Sequence, residues 1–293
     1  MRRGRPSKPP ARGPLPDPNG PGAESQDSAS SSRQVTRERR PRLAGSEAAP
    51  IVWTAVVVVG LTGLWYALSA AHAVRPTILP APGDVGATLA TELGKPSFWA
   101  DLTRTLEELV LAFAGGVCLG TLAGWAFWRR PVLGRAFEPY LAAFYAVPLV
   151  VFYPISIVVI GINQWPIVLL AGIMAAIPMA LNTWRGLERV RPVYLLLGAS
   201  LQATRRQLAA RLLLPAAAPL IFAGLKLGAV YALIGAIAME FLTASAGLGY
   251  QIRYQYEYFD ERRMYAYILV VLLFSVLLTG SLELTERRVI GRG

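Results

Sequence analysis

The feature that most constrains this chain is a run of 46 residues, 139–184, that contains no charged side chain. A helix needs about 20 apolar residues to cross the hydrocarbon core of a bilayer, which is about 30 Å thick. The run is therefore too long for one span and about right for two. Residues 163–166 (Asn-Gln-Trp-Pro) give a turn signal between them. We expect an integral membrane protein.

Four further apolar stretches have the length of a membrane span. They cover residues 51–71, 109–128, 212–242 and 264–282. With the two helices in 139–184, they predict an all-α integral membrane bundle of about six transmembrane helices. The composition agrees, because only 16% of the residues are charged and the mean hydropathy is +0.43. Soluble domains carry about 25% charged residues.

The first 50 residues differ from the rest of the chain. They hold ten Lys and Arg residues and five Asp and Glu residues, in a background rich in Pro, Gly and Ser. Such a segment buries too little apolar surface to offset its ordering entropy, so residues 1–50 are predicted to be a disordered basic tail. We interpret it as a solvated, orienting segment. The alternative is a tether to anionic lipid or nucleic acid, and the lack of aromatic residues for base stacking disfavours nucleic acid.

The loop charges predict the orientation of the chain. Suppose that the N-terminus is cytoplasmic. The loops on the same side are then residues 129–138, 185–211 and the C-terminal segment, which together carry twelve Arg residues. The loops on the opposite side carry only six Lys and Arg residues. Cytoplasmic loops of membrane proteins are enriched in Lys and Arg. Both termini are therefore expected to face the cytoplasm.

The side chains disfavour several kinds of chemistry. One cysteine (Cys118) and one histidine (His72) give neither a disulfide nor a His/Cys zinc site, so no metal site is expected. The sequence has no G-x-x-x-x-G-K-[ST] loop to bind nucleotide phosphates. A membrane-embedded enzyme would need clustered His, Asp or Glu in the apolar stretches, and they contain no such cluster. No catalytic residue and no cofactor are expected on this chain.

Four segments, in chain order, carry a resemblance to a known family. They are residues 78–85 (ILPAPGDV), 178–186 (PMALNTWRG), 202–217 (QATR followed by LLLPAA) and 239–250 (MEFLTASAGLGY). Together they resemble the motifs of the binding-protein-dependent ABC importer permeases, in the nitrate, sulfonate, taurine and bicarbonate branch. The resemblance implies a type I importer permease core over 76–288, preceded by a first transmembrane helix at 51–71, in a bacterial inner membrane.

The long basic loop 185–214, with a helix-forming middle at 195–213, resembles the EAA loop of that family. The family pattern is E-A-A, three residues, G, nine residues, then I-x-L-P. The proline end of this pattern matches at Pro215. Counting back from Pro215 places residues 196–198 (Leu-Leu-Gly) at the E-A-A positions and Gln202 at the position of the glycine, so the front end does not match. The resemblance implies that this loop couples the membrane helices to a separate ATPase. The candidate coupling residues are Gly198, Gln202, Ala203, Thr204, Arg205, Arg206 and Pro215.

The resemblance also implies partners. They are a cytoplasmic ABC ATPase subunit that binds ATP and Mg, an extracytoplasmic solute-binding protein, a second copy of this chain in a homodimer, and membrane lipids. ATP-driven closure of the ATPase would alternate the bundle between inward-open and outward-open states. The solute is expected to be small: an anion such as a sulfonate, nitrate or bicarbonate, or a thiamine-precursor pyrimidine. An autonomous channel or secondary transporter is the alternative, although no inverted repeat supports it.

Polar side chains within the apolar stretches are candidates for the pathway or a gate, because they are costly in a membrane. They are Asn182, Lys226 and Glu240. Asn182 is expected to bond to a neighbouring helix. Lys226, about ten residues into its span, either lines the pathway, pairs across a dimer interface or supports helix packing. Glu240 is expected to brace the turn at 243–250 rather than to act as a gate, and Glu107 and Glu108 are expected to be solvated at a span boundary.

Overall fold

The structure, a computed structural model, describes residues 48–71, 73–75, 78–190, 193, 196 and 200–290. The chain divides into two units, Met1–Val56 and Val57–Gly293. In the first unit only residues 48–56 are described, and they are helical. Throughout the described residues the regular structure is helical, with no strand, which confirms the all-α fold class. The predicted tail at 1–50 lies almost wholly outside the described residues.

Ten α-helices are described. They are α1 (Ala48–Ala70), α2 (Pro82–Leu93), α3 (Pro96–Arg129), α4 (Pro131–Ala146), α5 (Tyr153–Ile160), α6 (Trp165–Glu188), α7 (Arg205–Leu208), α8 (Leu214–Thr243), α9 (Leu248–Glu257) and α10 (Glu261–Ile290). A 3-10 turn, Leu149–Phe152, precedes α5, and a π turn, Ala209–Leu213, joins α7 to α8. We call the end of the bundle that carries α2 and α9 the α2 end, and the opposite end the α7 end.

Five helical stretches in the described part are long and apolar enough to cross a membrane. They are Val52–Ala70, Pro96–Arg129, Trp165–Glu188, Arg206–Glu257 and Glu261–Val289. The turn expected at 163–166 is confirmed in place, because α6 begins at Trp165. Helix α2, at Pro82–Leu93, is short and lies between the first and second of these stretches in the chain.

The span expected between residues 139 and 162 is divided rather than continuous. Helix α4 ends at Ala146, and only the shorter apolar stretch Leu149–Ile160 follows it. The break lies at Pro148. Its ring holds the preceding residue, Val147, in an extended conformation (φ −83°, ψ 122°), which a helix cannot continue.

The core of the second unit is the packing of α3 on α6. Three glycines of α3, spaced four residues apart, face α6 and let the two backbones approach closely. A Cβ added at Gly120 would lie 2.5 Å from the carbonyl oxygen of Ala176 and 2.7 Å from Cβ of Met179. Gly116 and Gly124 have similar contacts. Helix α6 also packs on α8, where Ala175 belongs to one buried cluster with Ala232 and Leu233.

Helix α2 is held against α10 by ion pairs at both of its ends. Glu92 is buried, and its carboxylate lies 2.7 Å from Nζ of Lys95 and 3.2 Å from Nε of Arg263. At the other end, Asp84 lies 3.3 Å from Arg262. A buried carboxylate is stable only when it is paired and hydrogen-bonded, and the two cations meet that need.

Replacing Gly120 with alanine should destabilise the bundle, because the added methyl group has no space between α3 and α6. Overpacking of this kind costs about 1–3 kcal/mol of unfolding free energy. We expect a lower midpoint of thermal unfolding in detergent. Gly115→Ala is the matched control on the same helix, since a Cβ there meets nothing within 4 Å. Equal midpoints for the two variants would refute the close packing.

Candidate functional site

The N-terminus of α9 is capped by side chains from two other helices. Helix N-termini leave backbone N–H groups without partners, and these are costly where water is absent. Here three consecutive N–H groups are satisfied. Gly247 donates to Oδ1 of Asp101 at 2.9 Å, Leu248 to Oγ1 of Thr105 at 2.9 Å, and Gly249 to Oε2 of Glu240 at 2.8 Å. We call residues 244–249 the capped turn.

Thr105 connects these bonds into one chain. Its hydroxyl accepts from Leu248 and donates to Oε1 of Glu240 at 2.7 Å. Both side chains are buried, with Glu240 at 0% and Thr105 at 1% exposure. Both oxygens of Glu240 therefore have donors. These contacts agree with the expectation that Glu240 braces the turn, while a gating role stays a prediction.

Gly247 is required in the capped turn for two reasons. Its φ of 107° is a backbone conformation that residues with a Cβ rarely adopt. A Cβ built there would also overlap the carboxylate of Glu240. Gly247, in the 239–250 motif, thus lets the chain turn directly against a buried carboxylate.

The C-terminus of α8 is capped from α9. The guanidinium of Arg253 donates to the carbonyl oxygen of Leu242 at 2.6 Å and to that of Ala244 at 3.0 Å. A cation that binds the last carbonyls of a helix also interacts favourably with the helix dipole. The capped turn is therefore fixed on both sides, through α8 and through α9.

The expectation that Glu108 is solvated at a span boundary is wrong. Its side chain is 1% exposed, and its Oε1 lies 2.8 Å from Nε of Arg104, one helical turn away. The carboxyl groups of Glu108 and Glu240 lie side by side. The sequence placed Glu108 at a boundary because the apolar run begins at Leu109, whereas α3 in fact begins at Pro96.

Thr105→Val should weaken the capped turn, because valine keeps the shape and removes the hydroxyl. Leaving a buried N–H and a buried carboxylate oxygen without partners costs about 1–3 kcal/mol each. We expect a lower unfolding midpoint and faster amide hydrogen exchange at 247–249. The matched control is Thr103→Val, since the exposed Thr103 hydroxyl bonds only to the carbonyl of Trp99 in its own helix. No difference between the variants would contradict the capping role.

At the α7 end, a helix begins inside the basic loop. The sequence predicted a helix in this loop but not the residue at which it begins. The helix expected over 195–213 is interrupted at 201–204 and restarts at α7. Gln202 has a φ of 49°, which no helix continues. The N–H of Thr204 donates to Oε1 of Gln207 at 2.9 Å, and the N–H of Gln207 donates to Oγ1 of Thr204 at 3.3 Å. This reciprocal pair is a capping box, and it sets the start of the helix at Arg205.

The other candidate coupling residues lie around this helix start. Arg206 is exposed and Ala203 is half-buried. Arg205 begins α7, and its side chain, like the whole of Gly198, lies outside the described residues. Pro215 follows the π turn in the first turn of α8. The helical path from 205 to 243 is therefore unbroken and connects the basic loop to the capped turn.

Asn182 and Lys226 have partners within the chain. The amide of Asn182 donates to the carbonyl oxygen of Pro178 in its own helix at 2.8 Å, and a bond to a neighbouring helix stays a prediction. Nζ of Lys226 lies 2.5 Å from Oε2 of Glu286 near the end of α10. That contact provides the packing role considered for Lys226. Roles of Asn182 and Lys226 in a pathway stay predictions.

The Lys226–Glu286 pair should couple α8 to α10 energetically. In a double-mutant cycle of unfolding with Lys226→Met and Glu286→Gln, we expect an interaction energy of about 0.5–3 kcal/mol. The control cycle pairs Lys226→Met with Glu283→Gln, because Glu283 instead binds Arg287 on an exposed face. Additive effects in the first cycle would refute the coupling.

The class of this protein follows from its similarity to a known family. The bundle itself, with five described stretches apolar enough to cross a membrane, fits a multi-pass membrane protein. The family described as "Binding-protein-dependent transport system inner membrane component" matches residues 116–291, and the chain belongs to this family. It is a permease subunit of an ABC importer, a multi-pass inner-membrane protein whose family works with an ATPase and a solute-binding protein.

Individual relatives agree with this assignment. The formylaminopyrimidine transport permease protein ThiX of Halalkalibacterium halodurans is 30% identical over 213 residues, which cover 72% of this chain and 84% of that protein. The taurine transport system permease protein TauC of Escherichia coli is 27% identical, covering 78% of this chain and 85% of that protein. A structure of the MetNI methionine ABC transporter in an inward-facing conformation matches the fold with a TM-score of 0.57 and 21% identity, covering 67% of this chain and 99% of that chain.

Sequence reasoning missed Asp101, Thr105 and Arg253. A signal for the first two was available, because Asp101, Thr105 and Glu108 recur at helical spacing on one face of α3. Arg253 carried no comparable signal, since its partners are backbone carbonyls of another helix.

Proposed function

We propose that this permease moves a small solute across the inner membrane as a homodimer, with an ATPase subunit on its cytoplasmic face and a solute-binding protein on the other. The α7 end faces the cytoplasm, as do both termini. ATP and Mg bind only to the ATPase. The solute is of the sulfonate, nitrate, bicarbonate or thiamine-precursor type.

One observation carries the coupling role of the basic loop. Thr204 and Gln207 fix the start of an exposed, positively charged helix, and that helix continues without a break into α8, which ends at the capped turn. A displacement applied to residues 202–206 by the ATPase therefore moves α8 as a unit. Because Glu240 of α8 holds the N-terminus of α9, the movement reaches the opposite face of the membrane.

Ion pairs and close packing determine which helices follow this movement. Lys226 binds α8 to α10, and α6 packs along α8 near Gly224, where an added Cβ would lie 2.8 Å from Cβ of Asn182. In this proposal α8 is the driven helix, and its neighbours change position together with it. Candidate pathway residues such as Asn182 then change exposure during the cycle.

The experiment is a pull-down of the tagged chain from its own membranes in mild detergent, followed by ATP-dependent uptake in liposomes. The wild type should retain a protein with a G-x-x-x-x-G-K-[ST] loop. Arg206→Glu combined with Ala203→Glu should lose that protein and lower uptake at least about tenfold, because like charges at an interface cost several kcal/mol. Insertion into the membrane should be unchanged.

Arg135→Glu is a charge-reversal control, since Arg135 is exposed on α4, outside the loop. It should keep both the partner and uptake. Normal uptake by the 203/206 double variant would overturn the coupling role. Recovery of the wild-type chain alone, with uptake in the absence of ATP, would instead indicate a channel or secondary transporter.

A further inference from the structure

Residues 139–147, which we call the arm, form a short stretch of backbone bounded by two prolines. Pro139 lies inside α4, and α4 ends at Ala146, just before Pro148. A proline inside a helix has no N–H to donate to the residue four positions earlier, so the helix is weakened and bends there. At the other end Val147 is extended. Each end of the arm is therefore a point at which the backbone can bend.

The part of α4 before the arm, residues 131–138, is held firmly, and we call it the root. Gly134 is buried under the indole of Trp184, since a Cβ added at Gly134 would lie 2.6 Å from Cζ2 of that ring. Phe127 of α3 contacts the same indole edge-on, with the ring centroids 5.9 Å apart. Glu138, the last residue of the root, lies 3.8 Å from Arg185 of α6. These contacts fix the root to α3 and α6.

The arm itself packs loosely. Its side chains that the structure describes are exposed, except that of Leu141, which is half-buried. A cavity of about 40 Å³ lies beneath the far end of the arm, next to Phe144 and Val147. The opposite wall of this cavity includes Met174 of α6 and Tyr231 of α8. Close packing resists movement, and the packing is incomplete here, so this is the end of α4 that has room to move.

The far end of the arm lies near the middle of the membrane. The uncharged run begins at Pro139, and the arm extends about 12 Å from there at 1.5 Å per residue, into a hydrocarbon core about 30 Å thick. Tyr231 belongs to α8, the helix that the basic loop is proposed to drive. A movement of α8 therefore changes the wall that faces the arm.

We propose that the arm is a gate of the translocation pathway. It swings about Pro139 while the root stays fixed to Trp184. In one state of the transport cycle it closes onto Met174 and Tyr231, and in the other it moves away from them. The apolar side chains of Phe144 and Val147 then exclude water and solute in the closed state, as hydrophobic constrictions do in channels. The gate rests on the proposed transport function, because α8 supplies the displacement.

The test joins α4 to α6 at two heights. Phe144→Cys with Met174→Cys places thiols on the two sides of the cavity, and Glu138→Cys with Arg185→Cys places them at the root. Both pairs are made in a Cys118→Ser background, because Cys118 is exposed. Each pair is treated with a short bis-methanethiosulfonate crosslinker, which a reductant removes. ATP-driven uptake is measured in liposomes with the co-purifying ATPase before crosslinking, after it and after reduction.

The crosslink between positions 144 and 174 should lower uptake at least about tenfold, and reduction should restore it, because the arm can no longer move away from α6. The crosslink between positions 138 and 185 should leave uptake unchanged. Uptake that survives the first crosslink would overturn the gate and indicate an arm held still by lipid or by a second copy of the chain. Equal losses with both crosslinks would overturn the hinge at Pro139. Absence of ATP-driven uptake in the untreated wild type would overturn the transport function instead.

Pro139→Ala tests the hinge without a crosslink. Alanine supplies the N–H that the helix lacks, so the variant should keep or raise the unfolding midpoint and still lose part of its uptake. Pro131→Ala is the matched control, since Pro131 lies in the first turn of α4, where a helix needs no N–H donor. Equal uptake by the two variants would contradict the hinge.

Discussion

The capping of α9 by Asp101, Thr105 and Glu240 is the interaction on which the α2 end of the bundle depends. A chain that turns back beside apolar helices exposes backbone N–H groups where no water can satisfy them. This protein meets that requirement with side chains from α3 and α8. The turn is consequently built from three helices at once, and none of the three can move at that level without breaking a buried hydrogen bond.

The same helices connect the two ends of the molecule. The glycines of α3 allow it to lie directly on α6, and α6 packs in turn on α8 through small side chains such as Ala175 and Ala232. The basic loop emerges between α6 and α8, and the capped turn is held by α3 and α8. Close-packed interiors shift between discrete arrangements rather than deforming gradually. A bundle of this kind is suited to passing a movement at one end to the other.

The spans could be predicted from the sequence because length and hydropathy are local properties. The turn before α6 followed from the same local patterns. The break at Pro148 did not, since a count of apolar residues ignores the extended conformation that a proline imposes on the residue before it, although Pro148 itself was visible. The partners of Glu240 were beyond local patterns because Thr105 lies 135 residues away in the chain. Glu108 was misplaced for a related reason, as its burial depends on helices that pack against α3 from elsewhere.

The π turn at Ala209–Leu213 has a consequence for how the chain tolerates changes in length. A π turn is a helical segment that has accommodated one extra residue. Deleting a single residue there would restore the regular α-helical path with little rotation of α7 relative to α8, because the wider π turn already offsets the extra residue. The exposed arginine at position 206 would keep its side of the helix, whereas a deletion within the regular part of α8 would rotate one side of that helix by about 100°. The π turn is therefore the position at which this part of the chain can lose one residue with the least change in the face that the loop presents.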